Sequence, residues 1–428
     1  MIEGIEIQVF PFSTNPRFWA FILSAIWLST AAIAENVNIP DPNFKAYCVT
    51  FFDTNLDGEI SIAEAEAVTQ GISCRKREIK DLTGAEAFKN IRFLSCENNM
   101  LTSLPDLSAF PHLIFLRCRG NLLTSLPDLS ANTQLTELSC EQNLLSQLPD
   151  LSSNTLLENL FCNQNQLVAL PDLSANVNLR YLYCSNNLLT SLPDLSSLTA
   201  LVSLVCHSNQ ITQLPNLNTL TSLLSLVAGR NSLRELPDLS GNLRLIELQV
   251  DFNQLEELPD LSQLTNLFYL MIANNRIKRL PDMSALTELG QLNCFQNLLT
   301  ELPDLSANVN MLSLLCFGNQ LTQLPDLSGM NRLSTVICFD NKIESVPDLS
   351  GLQFLWEFSC SNNLLDEGDC ADLLAAPLSH NFRYETQKDY TDFENGLPDW
   401  PHSMYFQEWI PYITNGGYLR ELNCTPAP

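Results

Sequence analysis

The chain has 428 residues and a formal net charge of -26 at pH 7, from 48 acidic and 22 basic side chains. Charge of this sign and size argues against nucleic acid and against an anionic membrane surface as partners, because both would repel it. The chain is also longer than one compact hydrophobic core usually supports, so it must contain several domains or a repeat array.

Residues 1–34 have the features of a secretory signal peptide. An apolar run at 18–34 follows Arg17, and Ala32, Ile33 and Ala34 form a small-x-small cleavage site. An uncleaved signal anchor is the alternative. No second apolar run is long enough to span a bilayer. We therefore expect a secreted or cell-surface protein without a transmembrane anchor beyond this leader.

Residues 35–73 are predicted to form a small helical N-terminal cap. Asp41 before Pro42 is a helix start signal, because a capping oxygen is followed by proline at the first helical position. The next segment, 53–64, reads DTNLDGEISIAE and resembles the 12-residue calcium loop of an EF-hand. A short exit helix is expected after it.

The resemblance assigns the calcium ligands by position in this loop. They are Asp53, Asn55, Asp57, the backbone carbonyl of Glu59, Ser61 and Glu64. Gly58 stands where the loop turns sharply. A turn that binds no ion is the alternative. Because the chain has one such loop and EF-hands generally work in pairs, we expect Ca²⁺ to have a structural role, making the cap rigid over the open edge of the first repeat.

A 22-residue unit then repeats without insertion or deletion across residues 74–365. Its consensus is L-x-x-L-x-C-x-x-N-x-L-x-x-L-P-D-L-S-x-x-x-x. The central slot of the unit holds, in chain order, Cys74, Cys96, Cys118, Cys140, Cys162, Cys184, Cys206, Ala228, Val250, Ile272, Cys294, Cys316, Cys338 and Cys360. Asparagine stands three residues after each slot except the first, where Arg77 replaces it.

Each column of the unit has a predicted role. The segment x-L-x-C-x alternates as a half-buried strand does, so leucine and the slot residue point inward. The asparagine after the strand must be buried with its amide bonded to backbone groups of the turn and of neighbouring units. The proline and aspartate of P-D-L-S suit an extended or single-turn 3₁₀ return segment. Here the aspartate caps the turn, and an acidic ladder that gathers cations is the alternative.

The cysteines of the central slot are predicted to be reduced and packed in the core. Ala228, Val250 and Ile272 occupy the same slot, so the position requires a small apolar group, and free cysteine behaves as one. A metal ladder is a poor alternative because Val250 and Ile272 cannot bind metal. Outside the repeats, Cys370 and Cys424 are the best candidates for a disulfide.

With the phase fixed, the residues before and after each slot face outward on the concave side. From Phe161 to Ile337 these positions are largely apolar, whereas a solvent-facing row is normally polar. The predicted ligand-binding surface consists of Phe161, Tyr181, Tyr183, Tyr269, Met271, Phe295, Leu315, Phe317, Ile337 and Phe339. Stacking that only stabilises the sheet is the alternative. Tyr181 and Tyr183 also suit a glycan.

The period and the motif are similar to those of leucine-rich repeats, and the order of leader, small cap, 22-residue units and C-terminal segment resembles secreted bacterial internalin-like proteins. The resemblance implies an α/β solenoid, an arc of about 13 to 14 units with parallel concave strands and an extended or 3₁₀ convex side. Residues 366–428, rich in aromatics, are expected to cap the last unit, with a sorting or adhesion element as the alternative.

The sequence therefore predicts an exported module that binds a protein through its concave face. A structural or adhesive surface component without a specific receptor, or a glycan binder, is the alternative. An enzyme is not expected, because no nucleophile–base pair or catalytic metal set is present in the sequence.

Overall fold

The computed structural model describes residues 35–365, and these form one series of coils with a 14-stranded parallel sheet in which strand order follows chain order. The strands are β1 Gly71–Ser73, β2 Phe93–Ser95, β3 Phe115–Arg117, β4 Glu137–Ser139, β5 Asn159–Phe161, β6 Tyr181–Tyr183, β7 Ser203–Val205, β8 Ser225–Val227, β9 Glu247–Gln249, β10 Tyr269–Met271, β11 Gln291–Asn293, β12 Ser313–Leu315, β13 Thr335–Ile337 and β14 Glu357–Ser359. The predicted leucine-rich repeat solenoid is confirmed.

Neighbouring strands pair in register at a constant offset of one repeat. Leu160 of β5, for example, lies opposite Leu182 of β6, and Phe161 lies opposite Tyr183. Leu160 and Cys162 are fully buried. The strand period of two therefore places the same column of every unit inside the coil and the adjacent columns on the concave face.

The asparagine that follows each strand connects consecutive units. The Asn165 Nδ2 group donates to the carbonyl of Cys162 in its own unit and to that of Cys140 in the preceding unit, at 3.1 and 3.0 Å. Its Oδ1 atom accepts from the backbone N–H of Leu145 at 3.0 Å. Both ends of the amide are thus satisfied inside the coil, as the sequence predicted.

The return side of each unit has short turns in place of a helix. The Asp128 carboxylate accepts from the backbone N–H and the hydroxyl of Ser130, and Asn216 accepts from the N–H of Asn218, so capping of this turn is confirmed. A 3₁₀ turn, Leu107–Ala109, marks the first of these segments.

A second set of buried asparagines on the return side was not predicted. Asn132 is fully buried, and its Nδ2 group donates to the carbonyls of Leu107 and Phe110 in the preceding unit. The same column holds Asn154, Asn176, Asn242 and Asn308, with leucine or another apolar residue in most remaining units. Because some units have asparagine in this column and others have an apolar residue, the sequence pattern did not indicate a hydrogen-bonding position.

The cysteines of the repeat slot are free thiols in the core, as predicted, and so is Cys48 of the cap. Burial in an apolar environment raises the pKa of the Cys162 thiol well above its usual value. A thiol kept protonated in this way is a poor nucleophile and a poor metal ligand. The Cys370–Cys424 pair lies outside the described residues, as do the leader and the C-terminal segment 366–428.

The N-terminal cap contains two helices, α1 Pro42–Phe52 and α2 Ile62–Ala67. The Asp41 carboxylate accepts from the N–H groups of Asn43 and Phe44 at the start of α1, as predicted. The backbone N–H of Ser73 in β1 donates to the Tyr47 hydroxyl at 2.8 Å, which connects α1 to the first strand. The cap therefore covers the outer edge of the sheet.

Within residues 35–365, no helix combines the length and the apolarity needed to span a bilayer. Sheet, core and cap are continuous along the chain, because a single hydrophobic cluster extends from Ile39 in the cap to Cys360 in the last described unit.

We expect Asn187→Ala to destabilise the solenoid by roughly 3 kcal/mol, because it leaves buried carbonyl and N–H groups of two units without partners. The Asn187 amide bonds to Cys162, Cys184 and Leu167 at 2.9 to 3.1 Å. The measurement is urea unfolding followed by circular dichroism. Asn178→Ala, which removes an exposed asparagine just before β6 whose amide donates to the Thr155 carbonyl, is the control. Equal losses from the two variants would contradict the role of the inner asparagines.

Candidate functional site

Three rows of side chains line the concave face. The first row holds the first residue of each strand, the second row holds the third residue, and the third row holds the residue two positions after the strand ends. Phe161 and Val205 belong to the second row, and Phe295 belongs to the third. Of the ten predicted residues, Met271 and Ile337 are buried, at 7% and 5% exposed, and the other eight are half-buried. The rows therefore pack against one another and still leave part of each aromatic ring open to solvent.

The third row carries a phenylalanine stack over β11, β12 and β13. The rings of Phe295 and Phe317 are 4.4 Å apart and 10° from parallel, and those of Phe317 and Phe339 are 4.5 Å apart and 17° from parallel. These separations are close to the spacing of neighbouring strands, so the in-register pairing itself creates the stack. The predicted stacking is present, and it also yields a continuous aromatic strip beside Leu315 and Ile337.

A second aromatic group lies over β5 and β6. The rings of Phe161 and Tyr183 are 5.1 Å apart, and Tyr181 meets Tyr183 edge to face at 6.3 Å. Burial raises the pKa of the Tyr183 phenol. These residues come together as the sequence predicted. Tyr269 and Met271 lie on β10, between this group and the phenylalanine stack, so the ten predicted residues share one face without forming one cluster.

β9 interrupts the apolar surface with two carboxylates that the sequence analysis did not select. Glu247 accepts from the Ser225 hydroxyl at 2.6 Å and from the Gln249 amide at 2.7 Å. Asp251 is half-buried, and burial raises the pKa of its carboxyl to about 6. The signal was available in the sequence, because both acids stand in rows that are otherwise uncharged from β5 to β13.

The N-terminal end of the concave face is polar and internally paired. Arg117 on β3 forms an ion pair with Glu137 on β4, with Nε 2.6 Å from Oε1, and Arg75 pairs with Glu97. The Ser139 hydroxyl donates to Glu141. Because these charges already have partners in the chain, this end is a polar rim beside the apolar surface.

The segment 53–64 folds as a turn that connects α1 and α2. Asp53 accepts from the N–H groups of Leu56 and Gly58 at 2.6 and 2.9 Å, and Gly58 has φ +82°, the conformation that the sharp turn requires. Asn55 and Asp57 lie within the turn and bond to each other, with the Asn55 amide donating to the Asp57 carboxylate at 3.0 Å.

Glu64 closes the same turn from the start of α2. Its carboxylate accepts from the N–H groups of Thr54 and Ser61 and from both hydroxyls. The Ser61 N–H is the main reason why the pKa of Glu64 is lowered to about 2. The side chain is therefore ionised and directed into the loop. Among residues 35–365, however, no three His, Cys, Asp or Glu side chains are grouped closely enough to hold a metal ion.

The loop has a backbone partner that sequence reasoning missed. The N–H of Val37 donates to the Ile60 carbonyl at 2.7 Å, and the N–H of Ile62 donates to the Glu35 carbonyl at 2.9 Å. This antiparallel bridge, centred on Asn36 and Ser61, supports the exit of the loop from outside it. The segment 35–37 thus supports this loop in the way that the second loop does in a paired EF-hand.

Comparison with known proteins supports the assignment of the fold. The family described as Leucine Rich repeats (2 copies) matches residues 177–219. No curated protein matches the chain significantly. Among solved structures, the functional domain of InlJ from Listeria monocytogenes, which includes a cysteine ladder, has a TM-score of 0.68 and 29% sequence identity, over 81% of this chain and 80% of that one.

Two further structures share the fold at lower identity. The leucine-rich repeat protein LIC12759 from Leptospira interrogans has a TM-score of 0.64 and 20% identity, over 76% of this chain and 97% of that one. An internalin, InlF, from Listeria monocytogenes str. 4b F2365 has a TM-score of 0.56 and 22% identity, over 76% and 98%. At these identities the likeness concerns the fold alone.

We expect Asp251→Asn to stabilise the protein at pH 7.5 by about 1 to 3 kcal/mol and to have no effect near pH 3. A carboxyl whose pKa is about 6 when folded and near 3.8 when unfolded disfavours the folded state above pH 6, and this penalty disappears as pH falls below the unfolded value. Thermal unfolding from pH 3 to pH 8 measures the difference between variant and wild type. Glu158→Gln, on an exposed side chain, is the control. A pH-independent difference for Asp251→Asn would contradict this interpretation.

Proposed function

We propose that this chain, which has a leucine-rich repeat fold, is an exported binding module that recognises a protein through the apolar and aromatic rows of its concave face. The observation that carries the proposal is the phenylalanine stack of Phe295, Phe317 and Phe339 on a face bordered by polar residues. Aromatic side chains with little conformational freedom are the usual centres of protein interfaces.

The arrangement favours recognition over a purely structural role. Stacking alone would stabilise the sheet wherever aromatic residues stood in register. Along the described strands, however, the second and third rows carry apolar residues only from β5 to β13, although the first row already has Phe93 on β2 and Phe115 on β3. The strands before them carry Arg117, Glu137 and Glu141 in the same rows, with ion pairs between neighbours. An apolar centre beside a polar rim is the composition of a binding surface.

Export is the second part of the proposal. It is supported by the apolar run at 18–34 and its small-x-small end, and by the acidic composition, which keeps a secreted protein soluble. The repeats do not depend on disulfides, because the slot cysteines are buried free thiols. Binding through the concave face requires neither cleavage of the leader nor a particular mode of anchoring.

The third part of the proposal is a structural calcium ion in the loop 53–64. The donor set fits a hard cation, since Asp53, Asn55, Asp57, Ser61, Glu64 and the Glu59 carbonyl are all oxygen ligands at EF-hand spacing. The inward direction of the ionised Glu64 supports it further. A bound ion would replace the hydrogen bonds by which these carboxylates now hold the turn, and it would fix α1 and α2 against β1.

We expect the double variant Phe317→Ser/Phe339→Ser to lose at least tenfold in affinity for a protein partner, because the loss of two central aromatic rings typically costs about 2 kcal/mol or more. The measurement is quantitative retention of proteins from a cell-surface extract on the immobilised chain, followed by titration of the retained protein. Circular dichroism must show that the fold is kept.

The matched control for this experiment is Leu144→Ser/Leu188→Ser. These leucines are 42% and 45% exposed and stand after the strand, away from the three concave rows. The proposal predicts that their loss leaves binding unchanged. Binding that survives in the phenylalanine variant, or that falls equally in both, would place recognition elsewhere on the molecule.

For the calcium site, we expect the wild-type melting temperature to rise with millimolar Ca²⁺ relative to chelator, because an ion that binds only the folded state stabilises it by mass action. Asp53→Ala/Glu64→Gln should remove this calcium dependence. Asp81→Ala, in the first repeat unit beside the cap and outside the loop, should keep it. Identical unfolding of the wild type in Ca²⁺ and in chelator would rule out a structural ion here.

A further inference from the structure

We propose that the protein segment bound on the concave face places a basic side chain, arginine or lysine, over Glu247 and Asp251 of β9 and the residues that follow it. The inference rests on the proposed function and adds the chemistry of the ligand to it. It is carried by the distribution of charge over the three rows, by the absence within residues 35–365 of an ion pair to either acid, and by the position of β9 between two aromatic groups.

Charge is concentrated at one place on this surface. In the three rows from β5 to β13, the formally charged side chains are Glu247 and Asp251, and both are acidic. A ligand that covers the apolar residues on both sides of β9 must also cover these carboxylates. Burying an unpaired carboxylate is costly, whereas pairing it with a cation offsets much of that cost and selects the partner.

The surrounding elements leave both carboxylates without a basic partner in contact. The turn after β8 contributes Gly229 and Arg230 near Asp251. Burial raises the pKa of Asp251 and the Arg230 charge partly offsets the rise, but the Arg230 guanidinium lies over the Phe252 ring, 4.3 Å from its centre, and does not pair with the carboxylate. The side of β10 contributes the uncharged Ala273 and Asn274. Within residues 35–365, the ion pairs closer than 4.0 Å do not include Glu247 or Asp251.

Gly229 determines where the Asp251 carboxylate lies. A Cβ atom at position 229 would stand 2.9 Å from Asp251 Oδ1 and 3.1 Å from the Asp251 carbonyl oxygen. The absence of a side chain at this one position therefore lets the carboxylate pack against the backbone of β8. In the third row, His207 comes directly before Gly229 and is the nearest titratable residue to Asp251 in that direction. Gly229 is a positioning residue for Asp251.

The spacing of the aromatic groups sets the length of the bound segment. Tyr183 on β6 and Phe317 on β12 are six strands apart, with β9 midway between them. At about 4.8 Å per strand the span is about 29 Å, which an extended segment covers with about nine residues at 3.3 Å each. A basic residue at its centre would stand four or five positions from an apolar residue on each side.

The test is selection of random 12-residue peptides, displayed on phage, against the immobilised protein. We expect enriched sequences to carry arginine or lysine with aromatic or large apolar residues four or five positions away on both sides. A synthetic peptide of such a sequence should bind at least tenfold more weakly to Glu247→Gln/Asp251→Asn. It should also bind more weakly to Gly229→Ala, since that change displaces the carboxylate.

Two controls separate this inference from nonspecific attraction to an acidic protein. Glu158→Gln/Glu288→Gln removes the same charge from exposed positions outside the rows, and Gly329→Ala adds a methyl group at a glycine with no neighbour within 4 Å. Both should leave peptide affinity unchanged. If the charge control weakens binding as much as the β9 variant does, general electrostatics explains the effect and the inference is wrong.

The remaining outcomes distinguish the inference from the proposed function. Enriched peptides that lack a basic residue and bind the β9 variants normally, but lose affinity for Phe317→Ser/Phe339→Ser, overturn the inference and leave concave-face recognition standing. Selection that yields no peptide sensitive to the phenylalanine variant overturns both.

Discussion

The asparagine at the end of each strand is the interaction on which this structure depends. Its amide donates to one carbonyl of its own unit and one of the preceding unit, and its carbonyl oxygen accepts an N–H of the preceding unit, as for Asn165 with Cys162, Cys140 and Leu145. A buried amide can satisfy all these groups only when the strand and the turn after it are aligned from one unit to the next. The in-register sheet and the alignment of its columns follow from this requirement.

The alignment of equivalent residues in consecutive units has different consequences on the two faces of the sheet. Inside, each slot residue lies beside its equivalent in the next unit, so a small apolar group is required, and buried thiols such as that of Cys162 are inert because burial keeps them protonated. Outside, equivalent side chains are brought to strand spacing. Rings at Phe295, Phe317 and Phe339 therefore stack at 4.4 and 4.5 Å, and the fold turns a pattern in the sequence into a continuous surface.

The proposed functions of this surface and of the cap complement each other. The cap covers the outer edge of the sheet through α1, with Tyr47 accepting a hydrogen bond from Ser73 of β1, and the loop between its helices is where a calcium ion would add rigidity. A stiff array holds its concave rows in fixed positions, which reduces the entropy lost when a ligand binds. Asp251 fits the same view, because burial raises the pKa of its carboxyl to about 6 and so lowers stability at neutral pH, and strongly shifted pKa values are more frequent at functional sites than elsewhere.

The sequence by itself determined the period, the inward and outward columns, the core role of the cysteines, the capping role of the aspartates and the start of α1 at Pro42, because each follows from local chemistry repeated at a fixed interval. It did not reveal the amide column at Asn132, the bridge between Val37 and Ile60, or the contact of Asp251 with Gly229. Those features join residues that are 22 or more positions apart, and they depend on which side chains the stacking of coils brings together. Only the tertiary structure decides such contacts, since the desolvation of a group depends on its neighbours in space and not on its neighbours in the chain.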